Sequence, residues 1–187
     1  MSALDFYAHV AVCGEVLGVG LGAAPEAWEA ALGATCLDVP GGGLLRRDYG
    51  LVEVNFSPDQ PDQPDQPDQP DQPDQPGRQG QMSCFGFGVK IQRLLYDQSP
   101  SIVPSPLSRE YGEFAPRVRF KELQTAILAL GHTVELDKRN ASSDMDCYRV
   151  SASATRIHVV ADPDPYGSGA PDPDGHQRGD VWSVDVW

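Results

Sequence analysis

Five aspartates crowd one stretch near the end of the chain: Asp162, Asp164, Asp172, Asp174 and Asp180. Carboxylates at such density hold calcium when alternate residues of one tight loop present oxygens around a central Gly, with a closing Glu. That spacing is missing, so the stretch reads as a solvated acidic loop. His9, His132, His158 and His176 fall far apart, with no paired spacing to share a metal. Asp144 and Asp146 together with His132 come nearest to an acid–base group, but they sit in a predicted turn without any convergent motif. The glycines of Gly18 to Gly22 and of Gly41-Gly42-Gly43 lack the strand-then-helix setting and the lysine of a phosphate loop. Cys13, Cys36, Cys84 and Cys147 form no C-x-x-C pair, and no nucleophile elbow, zincin or kinase signature occurs. The expectation is therefore no enzyme, no cofactor and no metal.

What remains is recognition chemistry. Arg47, Glu53, Asn55, Lys90 and Gln92 alternate with the apolar residues of predicted strands, which places them on a polar sheet face able to hydrogen-bond a partner. Tyr166, in the acidic loop, is the favoured aromatic contact, with Trp182 and Trp187 as further candidates. Trp182 aligns with Phe87 and is expected in the core. The net charge is −13, and setting aside the six aspartates of a Pro-Asp-Gln tract leaves −7. Phosphate recognition needs a cationic surface, so nucleic acid is excluded as the expected partner and a basic protein is favoured. The runner-up is a small-molecule or metal sensor, or an uncharacterised hydrolase, built on the same polar residues.

Those residues depend on the elements that carry them. Leu4, Phe6, Ala8, Val10 and Val12 alternate, which predicts an opening strand. Pro25 suits a first helical turn, Trp28, Ala31 and Leu32 supply a buried stripe, and Gly33 caps the helix. A turn at 40–43 leads to strands at 44–47, 51–56 and 87–91. A second helix runs from Phe120 to Leu130 with Gly131 as cap, followed by strands at 134–136, 148–150, 157–160 and 181–187. Six copies of Pro-Asp-Gln from Pro58 to Pro76 have no apolar side chain to offset ordering entropy, so 57–83 is expected as a disordered acidic insertion, and deletion of Pro58 to Gln75 is expected to change stability within about 0.5 kcal/mol. The apolar stretch at 8–24 contains Glu15 and no basic start, and nothing approaches the roughly 20 apolar residues of a membrane span. A cytoplasmic protein without a membrane partner is expected. Arg outnumbers Lys 11 to 3, a bias of high-GC bacterial genomes.

The pattern also repeats. Ala31-Leu32-Gly33, a hairpin and Phe87 to Ile91 match Ala129-Leu130-Gly131, a hairpin and Trp182 to Val186. The expected fold is α+β: two tandem helix-plus-antiparallel-strands units, their helices on one face of antiparallel sheet. The first αβββ unit covers 1–95, a linker 96–116, and the second unit 117–187. The order Val19-Gly20-Leu21-Gly22, Pro25-Glu26-Ala27-Trp28, Ala31-Leu32-Gly33, Tyr49, Phe56 and Val89-x-Ile91 resembles the helix-plus-three-strand repeat of small outer-membrane-assembly lipoproteins and β-lactamase inhibitor proteins. Cytoplasmic actinobacterial proteins of this layout look like immunity proteins, so the resemblance implies a non-enzymatic immunity or inhibitor protein that occludes a basic protein. It transfers no functional residue.

Overall fold

The computed structural model describes residues 1–59, 81–97, 99–167 and 172–187. The chain begins with helix α1 (Ala3–Cys13) and the two-residue strands β1 (Glu15–Val16) and β2 (Val19–Gly20), which pair as a small hairpin. Helix α2 (Pro25–Leu32) precedes β3 (Leu37–Gly41), β4 (Leu44–Asp48), β5 (Val52–Pro58) and β6 (Met82–Val89). Helices α3 (Arg93–Tyr96), α4 (Ser105–Tyr111) and α5 (Phe120–Ala129) follow. The chain closes with β7 (Val134–Leu136), β8 (Met145–Val150), β9 (Thr155–Val160) and β10 (Val181–Val186). The class is α+β. Eight strands form one antiparallel sheet in the order β3-β4-β5-β6-β10-β9-β8-β7.

The predicted opening strand is a helix, and its capping explains why. Ser2 and Asp5 form a capping box, with the Ser2 backbone N–H donating to Asp5 Oδ2 at 2.7 Å and Asp5 N–H donating to Ser2 Oγ at 3.3 Å. Gly14 ends the helix in the left-handed conformation, φ 69°. Ala3, Phe6, Tyr7, Val10 and Ala11 recur at helical spacing and are all buried. The expected linker 96–116 likewise holds α4, whose Leu107 and Tyr111 enter the core. The insertion expected at 57–83 begins and ends in ladder: Ser57 pairs with Ser83 and Pro58 with Met82. Its remaining span, residues 60–80, lies outside the described residues.

Side chains in register across the sheet share a face. One such row runs Val52, Val89, Val184, Ile157, and a second runs Val54, Phe87, Val186, Thr155; all eight are buried. Helix α2 packs on β6, and α1 packs on β9 and β10. Contacts of α2 with α4, α4 with α1 and α1 with α5 join these four helices into a single layer. Phe6 and Tyr7 of α1 meet Phe114 edge-on at 5.7 and 5.9 Å between ring centres, and Trp28 lies 4.9 Å from Phe87. One core cluster takes residues from both ends of the chain. The edge strands offer little to another sheet: β3 carries Pro40, and β7 has three residues.

Candidate functional site

The opposite face of the sheet carries a polar row in strict register: Asp48, Glu53, Gly88, Asp185, Arg156, Arg149 and Glu135, one from each strand from β4 to β7. Period-two alternation produces it, because each of these residues adjoins an inward apolar one. At the centre, Lys90 Nζ donates to Asp185 Oδ1 at 2.6 Å and Ser183 Oγ donates to Asp185 Oδ2 at 2.5 Å. His158 Nε2 stands 3.8 Å from the same Oδ2. This cluster lies over Gly88, where a Cβ would come within 2.1 Å of Asp185 Oδ1 and 2.5 Å of Lys90 Nζ. The glycine supplies the room.

Beside it, Arg93 spans two acids. Its Nη1 donates to Asp48 Oδ1 at 2.8 Å and to the Gly50 carbonyl at 2.6 Å, while Nη2 donates to Glu53 Oε2 at 2.8 Å. Toward the other end, Asn55 registers with Arg46 and Gly86. The Trp187 ring occupies the space a Cβ at Gly86 would need, 2.4 Å from its Cε3, and lies 6.3 Å from Phe85. Both rings are exposed, Phe85 at 41% and Trp187 at 49%. The face thus ends in an aromatic patch beside an amide.

The sequence-selected residues are divided by this geometry. Glu53 and Asn55 share the uncovered face, and Lys90 reaches it just past the end of β6. Arg47 does not. It registers with the inward Val54 and ties β4 to α2, donating to both Asp38 oxygens at 2.8 and 3.1 Å and to the Pro25 carbonyl at 3.3 Å. The guanidinium holds the Asp38 carboxyl below the usual range. Arg46 takes the place on the open face expected of Arg47. Gln92 lies beyond the strand, its backbone N–H donating to the Trp182 carbonyl. Tyr166 is 93% exposed. Trp182 is outside the buried core and contacts His176 instead, with ring centres 4.9 Å apart. Asp185, Ser183, His158 and Arg156 were missed as a group, although alternation in 155–160 signals the last two.

Nothing in this cluster is arranged as an activated nucleophile. The Ser183 hydroxyl is committed to Asp185 rather than to an imidazole. Cys147 registers with His158, but burial pushes the thiol up and the imidazole down, opposite to a thiolate–imidazolium pair. All four cysteines are free thiols. Among the described residues no group of three or more His, Cys, Asp or Glu is placed to hold a metal ion, and no helix is long and apolar enough to cross a membrane. Comparison with protein-family models, with curated proteins and with solved structures finds no match to this chain.

Proposed function

We propose that this chain is a non-enzymatic binding protein, of immunity or inhibitor type, whose uncovered sheet face meets a basic protein partner. The observation that carries the reading is that face itself. One side of an eight-stranded sheet is covered by helices, while the other presents a register of polar side chains ending in the Trp187–Phe85 patch. Pairing by Lys90 and Arg93 holds Asp185, Asp48 and Glu53 in fixed positions, which lowers the ordering cost of binding. The charge balance of the row itself is mixed. The acidic excess comes from elsewhere in the chain of net charge −13, and its role is long-range attraction.

The tandem-unit reading belongs with this proposal. Each half runs a helix and then four antiparallel strands, α2 with β3 to β6 and α5 with β7 to β10, and the halves join through β6 and β10. Two copies of such a unit yield a wide continuous face, wider than either half alone offers a partner. The expected unit of three strands becomes one of four.

Affinity capture from the native host at low and high salt tests the reading, followed by binding measurements on the recovered partner. A cationic partner is expected, with association slowing as salt rises. Trp187→Ala is expected to weaken binding by about 2 kcal/mol, the scale of an interface anchor. Turnover of a substrate by the pure chain, or binding unchanged by Trp187→Ala and by charge reversal along the row, would overturn it.

A further inference from the structure

At the end of the sheet away from Trp187 lies a cleft of about 440 Å³, a size within the range of small-ligand sites. Three rings line it: Tyr96 from α3, His176 from the β9–β10 connection and Trp182 from β10. His176 lies 5.4 Å from Tyr96 and 4.9 Å from Trp182 between ring centres. The His176 side chain is only 6% exposed; the Gln92 backbone carbonyl faces its ring, and no side chain completes a hydrogen bond to either nitrogen. Its nearest carboxylate, Asp180, stands off at 4.0 Å. Buried polar atoms are nearly always partnered, so an imidazole in a cleft wall with its acceptor nitrogen left over points to a group that enters the cleft.

The chemistry of that group follows from the other lining residues. Asp144, Asp162 and Asp172 line the same cleft, and no Lys or Arg does. Each engages a single oxygen in a local turn: Asp144 Oδ1 accepts from Ser142 Oγ at 2.5 Å, Asp162 Oδ1 from Asp164 N–H at 3.0 Å, and Asp172 Oδ1 from Asp174 N–H at 2.9 Å. Among the described residues none of the three forms an ion pair, whereas Asp38, Asp48, Glu53 and Asp185 are each held by a cation. The carboxylates do not converge as metal ligands. Desolvation keeps the His176 imidazole below its usual pKa, leaving it a neutral acceptor at pH 7.

Aromatic faces, uncompensated carboxylates and a neutral imidazole acceptor together select a donor-rich organic cation. We propose that this cleft is a recognition pocket for a guanidinium group on an aliphatic stem. A planar guanidinium stacks on an indole and still addresses two carboxylates through its fork of N–H donors, which an ammonium does less well. The source is either an arginine side chain of a protein or a free guanidino amine; the cleft chemistry is the same. This pocket stands apart from the uncovered face, so its failure leaves the partner reading intact.

The test follows the Trp182 indole N–H by NMR, assigned through its loss in Trp182→Phe. The probes are the peptide acetyl-Gly-Arg-Gly-amide, agmatine, and the neutral isostere acetyl-Gly-citrulline-Gly-amide. Saturable shifts at Trp182 are expected with both cations and not with citrulline. Asp162→Asn combined with Asp172→Asn, in which each amide oxygen can still accept the turn hydrogen bond, is expected to weaken binding at least about tenfold. Tighter binding of the peptide identifies a protein side chain as the source, and tighter binding of agmatine identifies a free amine; either upholds the pocket. No shift at Trp182 with cation up to about 10 mM, equal shifts with citrulline, or shifts undiminished in the double variant would overturn it.

Discussion

At the scale of single residues, two glycines show how backbone and side-chain constraints differ. Gly50 has φ +85°, and a Cβ there would lie 2.4 Å from the Ile102 carbonyl oxygen, whose chain is held by the Leu51 N–H at 2.6 Å. Gly88 has ordinary backbone geometry, and the atoms nearest to a Cβ there would be the side-chain ends of Asp185 and Lys90. Gly50→Ala is expected to cost about 2–3 kcal/mol in urea denaturation, because backbone must move and a left-handed conformation is strained. Gly88→Ala is expected to cost about 1 kcal/mol by displacing the Lys90–Asp185 pair. Equal costs would refute the distinction. The histidines supply a pH dependence. His158 and His176 both have lowered pKa values, chiefly through desolvation, partly offset by Asp185 and Asp180 respectively. Below the unfolded value of about 6.5 the unfolded chain takes up protons that the folded chain refuses. Stability is therefore full above that pH and falls as pH drops through it. The Tm is expected to decline between about pH 7.5 and 5.5, and less so in His176→Asn; an unchanged slope in that variant would count against the assignment.

At the scale of elements, some boundaries were legible and others were not. Pro25 and Gly33 mark α2 in the sequence because each acts locally, one through its missing N–H and the other at a cap of positive φ. In α1 the apolar set at 3, 4, 6, 7, 8, 10, 11 and 12 satisfies both periods, so alternation alone misleads. The Ser2-x-x-Asp5 cap was the local signal that decides for helix. Strand β3 was missed since all five of its residues are exposed and it carries Pro40, leaving no apolar period to detect. For the Pro-Asp-Gln insertion, Asp59 N–H donates to the Gln81 carbonyl at 2.7 Å, so the ladder of β5 and β6 closes outside residues 60–80. Replacing those residues by a turn of about five shortens the loop by two halvings, which loop closure values at about 1.2 kcal/mol of added stability. That exceeds the change of about 0.5 kcal/mol expected from sequence for deleting Pro58 to Gln75. A destabilised hairpin after this replacement, read by urea denaturation, would show that the insertion is structural.

At the scale of the whole molecule, the decisive feature is that α1, first in the chain, packs on α5, β9 and β10 near its end. Phe6, Tyr7 and Val10 are fully buried, and burial of each such side chain stabilises by about 1.5–3 kcal/mol. A fragment of residues 117–187 lacks that cover and is expected to remain unfolded by circular dichroism. Adding residues 1–116 in trans should restore structure. Cooperative unfolding of the isolated 117–187 fragment would sink this account.

What the sequence alone determined are properties that act over one turn or one strand. These include the α+β class, the positions of α2 and α5, the alternation of β5 and β9, and the acidic charge. Facing and assembly needed the tertiary structure. Arg47 and Arg46 differ by one position, and only the register of β4 on β5 decides which of them pairs with α2 and which joins the open face. Tyr96, His176 and Trp182 are separated along the chain by as much as half a domain, and no local pattern predicts that their rings meet. Long-range contacts depend on which surfaces remain to be buried once every element has formed, and that quantity belongs to the folded whole.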